Sequence, residues 1–190
     1  MIIFDLDGTL ADCEHRRHFV DPIGNPRLHT GLGDENRKQE WFYQDQLICS
    51  EPPIYKIWKP DWRSFYESCD KDEPIHQTLS LFSTYSKSEE VVIWSGRCES
   101  VREKTINWFF DKWFLGASEK PLKAWLDQIL KMRPSGDYTP DDQLKEKWLD
   151  EALSEGKTID FVVDDRRKVV EMYIRRGIFV FDVSQGKGDF

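Results

Sequence analysis

The sequence predicts a doubly wound parallel α/β sheet with a small, mostly helical cap inserted after its first strand. Three observations carry that expectation. Short apolar runs alternate with helix-patterned segments. Acidic pairs directly follow the first run and a later one. A polar and aromatic stretch of about sixty residues interrupts the alternation, too long for a plain loop inside a compact domain.

The strands are read from four apolar runs, Ile2 to Phe4, Val91 to Trp94, Phe161 to Val163 and Phe179 to Phe181, with Ile129 to Met132 a weaker fifth. Runs this short, without polar alternation, suit strands buried on both faces. Val101, Ile106, Trp108, Phe109, Trp113 and Phe114 put an apolar face on a helix from about Glu99 to Phe114. A second helix follows Asp141-Asp142, acids suited to a helix start, and buries Leu144, Trp148, Leu149, Ala152 and Leu153. A third carries Val169, Val170, Met172, Tyr173 and Ile174 and is closed by Gly177. Strands alternating with helices of this length make a parallel sheet covered on both sides.

From Cys13 to Pro74 no clear strand is legible, but Trp41, Phe42, Tyr43, Tyr55, Trp58, Trp62, Phe65 and Tyr66 crowd together among prolines. The expected division is therefore a core of residues 1–12 and 75–190, with 13–74 as the cap.

Composition limits the function. The chain has 190 residues, 39% of them apolar, with 14% aromatics and eight tryptophans, which marks an ordered globular protein. No apolar run approaches the roughly 20 residues that span a bilayer. Met1-Ile2-Ile3-Phe4-Asp5 lacks the basic start of a secretory signal. Cys13, Cys49, Cys69 and Cys98 are scattered and read as reduced thiols, so a cytoplasmic protein is expected. A net charge of -8 argues against a broad basic surface that tracks long nucleic acid. A local basic pocket for one nucleotide stays open.

Chemistry concentrates at the strand ends, where open parallel sheets place their functional crevice. The first strand runs into Asp5-Leu6-Asp7-Gly8-Thr9. An aspartate can attack phosphorus and form an acyl-phosphate, dividing one difficult hydrolysis into two easier steps. A second aspartate two residues on can face the same side and shuttle a proton, and Gly8 permits a tight turn beside the substrate. At ordinary residue frequencies D-x-D-G-T arises by chance in about one such chain in several hundred. The second main strand leads into Ser95-Gly96-Arg97, read as a hydroxyl and free N–H groups at a helix start, an anion site. The fourth ends in Asp164-Asp165, a pair suited to a hard cation, and Lys145 lies on the helix before it.

These residues resemble the four motifs of the haloacid dehalogenase superfamily of phosphatases, in order: D-x-D-G-T, Ser95, Lys145 and Asp164-Asp165. A closer resemblance is to the 3′-phosphatase domain of phage polynucleotide kinase-phosphatase and to stand-alone phage proteins built on it. It rests on W-S-G-R at 94–97, M-R-P-S-G-D at 132–137, D-D-Q-L-K-E at 141–146, D-D-R-R-K-V-V-E-M at 164–172 and the terminal Gly188-Asp189-Phe190. It covers little of residues 20–75. No G-x-x-x-x-G-K-[ST] occurs, so no kinase half is expected. The resemblance implies a Rossmann-like sheet, Asp5 as nucleophile, Asp7 as general acid/base and Lys145 as a charge-offsetting catalytic residue. Gly8, Thr9, Ser95, Gly96 and Arg97 would receive the phosphate. Mg²⁺ would be held by Asp5, Asp164 and Asp165, with Asp7 lending its backbone carbonyl. An essential arginine falls, by the same resemblance, at Arg16, with Arg17 adjacent.

Charge arithmetic points the same way. Asp5, Asp7, Asp164 and Asp165 around a phosphate dianion need counter-ions, which Mg²⁺, Lys145 and Arg97 supply. Taken singly, each motif has a plainer reading: Asp164-Asp165 as acids at a helix start, Ser95 as a cap, Lys145 as a solvated lysine with Lys147 beside it. Their order and their places after successive strands favour the site. Cys13, His15 and His18 lack a fourth ligand for a metal site, and Gly31-Leu32-Gly33 reads as a turn. Lys56, Lys59 and Arg63 among Trp58 and Trp62 suit either cap packing or a stacked base with its phosphate.

The expected activity is thus a Mg²⁺-dependent phosphomonoesterase acting on a phosphorylated nucleic-acid 3′ end. A nucleoside monophosphate phosphatase is the alternative, favoured by the acidic charge. A phosphate-binding module without turnover comes next. No membrane and no obligate protein partner are expected.

Overall fold

A computed structural model of the chain describes residues 1–21, 41–43, 46–49, 59–114 and 118–184, with 41–43 and 46–49 as backbone. In chain order the strands are β1 (Ile2–Phe4), β2 (Ala11–Asp12), β3 (Trp41–Tyr43), β4 (Gln46–Cys49), β5 (Glu73–Pro74), β6 (Val91–Cys98), β7 (Leu130–Arg133), β8 (Phe161–Asp164) and β9 (Val180–Asp182). The helices are α1 (Trp62–Glu67), α2 (His76–Tyr85), α3 (Arg102–Lys112), α4 (Glu119–Ile129), α5 (Asp141–Ser154) and α6 (Arg167–Arg175). Short 3₁₀ turns occupy Glu14–Phe19, Cys69–Lys71 and Glu99–Val101.

Five strands form one sheet in the order β7-β6-β1-β8-β9, every pairing parallel. Successive residues of a strand face opposite sides, and β1 feeds both. Ile2 and Phe4 enter a core with Leu79, Phe82, Trp108, Phe109 and Leu126 from α2, α3 and α4. Ile3 enters a second core with Trp148 and Leu149 of α5 and Val169, Met172 and Tyr173 of α6. The sheet is therefore covered on both faces, as its continuous apolar runs require. All five expected strands lie within the sheet, displaced by at most one residue at their starts. Gly177 closes α6 with φ +75°, while the Ile178 N–H donates to the Tyr173 carbonyl at 3.0 Å.

Two helices were not legible beforehand. In α2, serine and threonine interrupt the apolar spacing, leaving Thr78, Leu79 and Phe82 as its buried residues. In α4 one residue, Leu126, is buried. A second difference lies at residue 95. The chain does not enter a helix there: β6 continues through Ser95, Gly96 and Arg97 to Cys98, with an irregular register between Ser95 and Cys98. The expected helix-start anion site is instead an irregular strand end.

Within residues 13–74 the structure also has strands. Antiparallel pairing of Ala11 with Pro74 and Asp12 with Glu73 brings the chain back beside the point where it left, and β3 pairs antiparallel with β4. Strands of two to four residues are shorter than the window in which alternation can be read. The readings on Gly31-Leu32-Gly33, Tyr55, Lys56, Trp58 and the terminal Gly188-Asp189-Phe190 lie outside the described residues. Among the described residues no helix is long and apolar enough to cross a membrane.

Candidate active site

Asp5 prolongs β1 by one residue, its N–H donating to the Val163 carbonyl at 2.9 Å. The chain then coils around the Leu6 carbonyl, which accepts from Thr9, Leu10 and Ala11 at 2.9–3.3 Å. Gly8 takes φ +83°, and a Cβ there would lie 2.0 Å from Asp165 Oδ2. Both conformation and space thus demand glycine. Thr9 donates its hydroxyl to Asp165 Oδ1 at 3.1 Å, and Thr78 donates to the Thr9 carbonyl. The ends of β1 and β8 thereby meet.

At that meeting point one oxygen each of Asp5, Asp164 and Asp165 lies within 4.8 Å of the others. Lys145, on α5 and 1% exposed, donates to Asp5 Oδ1 at 2.6 Å and Asp164 Oδ2 at 2.8 Å. Lys147, two residues on, is exposed. Burial and then the surrounding carboxylates set the protonation. Burial raises Asp5 well above the usual carboxylate range against the opposing pull of Lys145, and Asp164, Asp165 and Asp141 raise it too. Burial and the charge of Asp164 push Asp165 up to about 7. Burial opposes the charge on Lys145, but Asp164, Asp5 and Asp141 raise its affinity for the proton further. An all-oxygen cluster short of positive charge fits a hard divalent cation.

Asp7 belongs to a second group. Its Oδ1 accepts from Arg16 Nη2 at 2.6 Å and from Arg97 Nε and Nη2 at 2.7 and 2.5 Å. Burial would raise its pKa, yet the two guanidinium groups hold it at about 2. Arg16 and Arg97 are fully buried and do not line the cleft beside Asp5. Their donors go to Asp7, Asp72, the Phe65 carbonyl and Thr105. Arg17 pairs with Glu14 and Asp21, whereas Arg16 reaches Asp7. Ser95 is buried on β6, its oxygen accepting from the Arg97 N–H at 3.2 Å. Of the three candidate ligands Cys13, His15 and His18, His15 turns to Asp72 and His18 to the His15 carbonyl; they gather no metal site.

Four residues of the site escaped the sequence reading: Asp72, Asp141, Arg133 and Arg166. Asp72 is fully buried beneath Arg16 and Arg97. Asp141, read there as an acid at a helix start, faces Arg133 at 3.2 Å, Arg166 at 3.4 Å and Lys145 at 3.6 Å. Burial alone would raise its pKa; these three cations lower it instead. A Cβ on Gly96 would fall 2.5 Å from Asp141 Oδ1, so Gly96 leaves room for that carboxylate. Arg133 and Arg166 are the cations that frame Asp141. The letters D-D-Q-L-K-E held the signal for Asp141, since Asp141 and Lys145 share one helix face.

Asp5 and Asp7 open onto a cleft of about 500 Å³. The family model described as the polynucleotide kinase PNKP phosphatase domain matches residues 58–190. No curated protein matches the chain. Two solved structures share the fold. A chain of the Pnkp1/Rnl/Hen1 RNA repair complex matches with TM-score 0.55 and 20% identity over 96% of this chain and 41% of its own. A chain of a second Pnkp1/Rnl/Hen1 complex matches with TM-score 0.56 and 22% identity over 100% of this chain and 46% of its own. The chain thus spans less than half the length of either.

Proposed function

This chain belongs to the family of polynucleotide kinase PNKP phosphatase domains, within the haloacid dehalogenase superfamily, and from that premise we propose that it removes phosphate from the 3′ ends of nucleic acids through an aspartyl-phosphate on Asp5. The observation that carries the mechanism is the division of labour between two carboxylates two residues apart. Asp5 sits in a cluster of three carboxylates served by one lysine, and Asp7 is gripped by two arginines.

In the first step a carboxylate oxygen of Asp5 attacks phosphorus while the bond to the leaving oxygen breaks. Asp7 hands that oxygen a proton. Held at about 2, Asp7 carries no proton near neutral pH in the free site, and a phosphate dianion beside it favours the protonated form that donates. In the second step Asp7 takes a proton from water, whose oxygen attacks the phosphorus and frees Asp5 and inorganic phosphate. Lys145 stays charged throughout and offsets the carboxylates. Arg16 and Arg97 orient Asp7, and Ser95 offers its hydroxyl proton to the phosphate. Asp5, Asp164, Asp165 and the Asp7 carbonyl would hold Mg²⁺, which would supply the remaining positive charge. Residues 13–74 we read as the cap over the leaving group.

The test is phosphate release from p-nitrophenyl phosphate, with and without Mg²⁺, by wild type and Asp5→Asn. Loss of several orders of magnitude in the variant is expected, because the covalent route is closed; equal activity sinks the nucleophile assignment. Substrate class is then decided by kcat/KM on 3′-phosphorylated oligonucleotides, 3′-mononucleotides and 5′-mononucleotides. A tenfold advantage for 5′-mononucleotides overturns the 3′-end reading in favour of a nucleotidase.

A further inference from the structure

The cleft beyond Asp5 and Asp7 is walled by aromatic rings that phosphoryl transfer does not need. Helix α1 contributes Trp62 and Tyr66, whose rings stack with centroids 5.9 Å apart and planes 27° from parallel. The Tyr66 hydroxyl donates to the Gly96 carbonyl at 3.3 Å, which ties this wall to the end of β6. The loop between β7 and α5 contributes Tyr138. Arg133 donates to the same Gly96 carbonyl at 3.0 Å and to the carbonyls of Asp137 and Thr139 at 3.4 and 2.5 Å. The backbone on both sides of Tyr138 is therefore held, while the tyrosine itself is 89% exposed and Trp62 is 40% exposed. Rings kept in water on an anchored backbone, at the mouth of a reactive site, are surface prepared for a flat partner. The same cleft is lined by Lys168, an exposed cation, and by Arg166 beside Asp141.

We infer that this cleft is the leaving-group subsite for a terminal nucleoside, its base taken between the Trp62–Tyr66 stack and Tyr138 and its 5′-side phosphate received by Lys168. The inference rests on the phosphatase reading and names the substrate half that reading leaves open. A volume of about 500 Å³ lies inside the range of small-molecule sites, about 300–1,000 Å³. Stacking on a π-face accepts every base, so the subsite selects a nucleoside without selecting a sequence. It also relocates the base-stacking role raised by the sequence: Arg63 is exposed, paired with Glu67 at 2.8 Å and absent from the lining, whereas Trp62 belongs to it.

The experiment compares two 3′-phosphorylated oligonucleotides that differ only in the last nucleoside, one with its base and one abasic. Wild type should favour the base by roughly tenfold in kcat/KM, the scale of one base–aromatic stack. Tyr138→Ala and Trp62→Ala should shrink that ratio towards one, through KM with kcat little changed. Lys168→Gln should flatten the salt dependence of oligonucleotide turnover. Arg63→Ala, outside the cleft, should keep the wild-type ratio. Equal turnover of the two oligonucleotides by wild type, or an undiminished ratio in Tyr138→Ala, overturns the subsite and leaves the phosphatase reading standing. If wild type releases phosphate from nothing, the phosphatase reading falls. The subsite is then judged by binding alone: quenching of tryptophan fluorescence by the base-bearing oligonucleotide, greater than by the abasic one, upholds it, and equal quenching ends it.

Discussion

Asp72 holds the guanidinium of Arg16 by both of its oxygens, Nε to Oδ1 and Nη2 to Oδ2, each at 2.7 Å and both side chains fully buried. Arg97 Nη2 adds a third contact at 2.5 Å to the same carboxylate, and His15 a fourth at 2.9 Å. Asp72 thus sets the two arginines that grip Asp7, although it does not line the reactive cleft. The Arg16 guanidinium carbon lies over the Phe65 ring, 4.1 Å from its centre.

Asp72→Asn keeps the shape and removes the charge that two buried arginines share. Breaking a buried ion pair from one side costs about 3–5 kcal/mol, and a loss of that order in urea unfolding is expected. Asp7 loses its fixed orientation as well, so kcat should fall more than KM rises. A variant with wild-type stability and kcat contradicts the clamp.

Lys145→Met should cost at least 100-fold in kcat, about 3 kcal/mol, because Asp5 and Asp164 lose the cation at 2.6 and 2.8 Å. Lys147→Met, two residues along on the exposed face, should leave kcat unchanged. Steady-state kinetics on a 3′-phosphorylated substrate separates the two, and equal effects reject the assignment.

Gly8 and Gly136 share a positive φ, +83° and +82°, but not their surroundings. A Cβ on Gly136 meets nothing within 4 Å, so Gly136→Ala should cost only the conformational penalty of about 1–2 kcal/mol. Gly8→Ala meets the Asp165 carboxylate at 2.0 Å and must displace it. Mg²⁺ titration of activity should therefore shift at least tenfold upward in Gly8→Ala and stay in place in Gly136→Ala.

The two acidic groups respond to pH in opposite senses. Asp165 is raised to about 7 by burial and Asp164, so in metal-free protein its contribution is complete below pH 4 and lost as pH rises through about 7. Asp7, held at about 2, contributes above pH 4 and loses that contribution as pH falls towards 2. Thermal unfolding in EDTA should then show Tm falling between pH 5 and 8, with Mg²⁺ restoring it most at the alkaline end. A Tm that climbs across that interval contradicts the strained carboxylate cluster.

What could be read from the sequence was local. Ile2–Phe4 is apolar throughout because β1 is buried on both faces, and that run announces a central parallel strand. Asp5 and Asp7 follow it directly, and Asp164 and Asp165 stand where β8 ends, so the acidic cluster was legible from strand ends alone. The tertiary structure decided the partners. Asp72 contacts arginines 56 and 25 residues away, and only closure of the 13–74 segment by β2 and β5 brings them together. Cationic chemistry at Arg97 is visible in sequence while the carboxylates it meets are not; Asp7 lies 90 residues before it. Trp62 suited packing as well as stacking and Tyr138 carried no signal, since exposure depends on which surfaces the fold leaves open. A side chain's chemistry is written in its own letter, but the charge or ring it faces is set by chain closure, through contacts that no local pattern records.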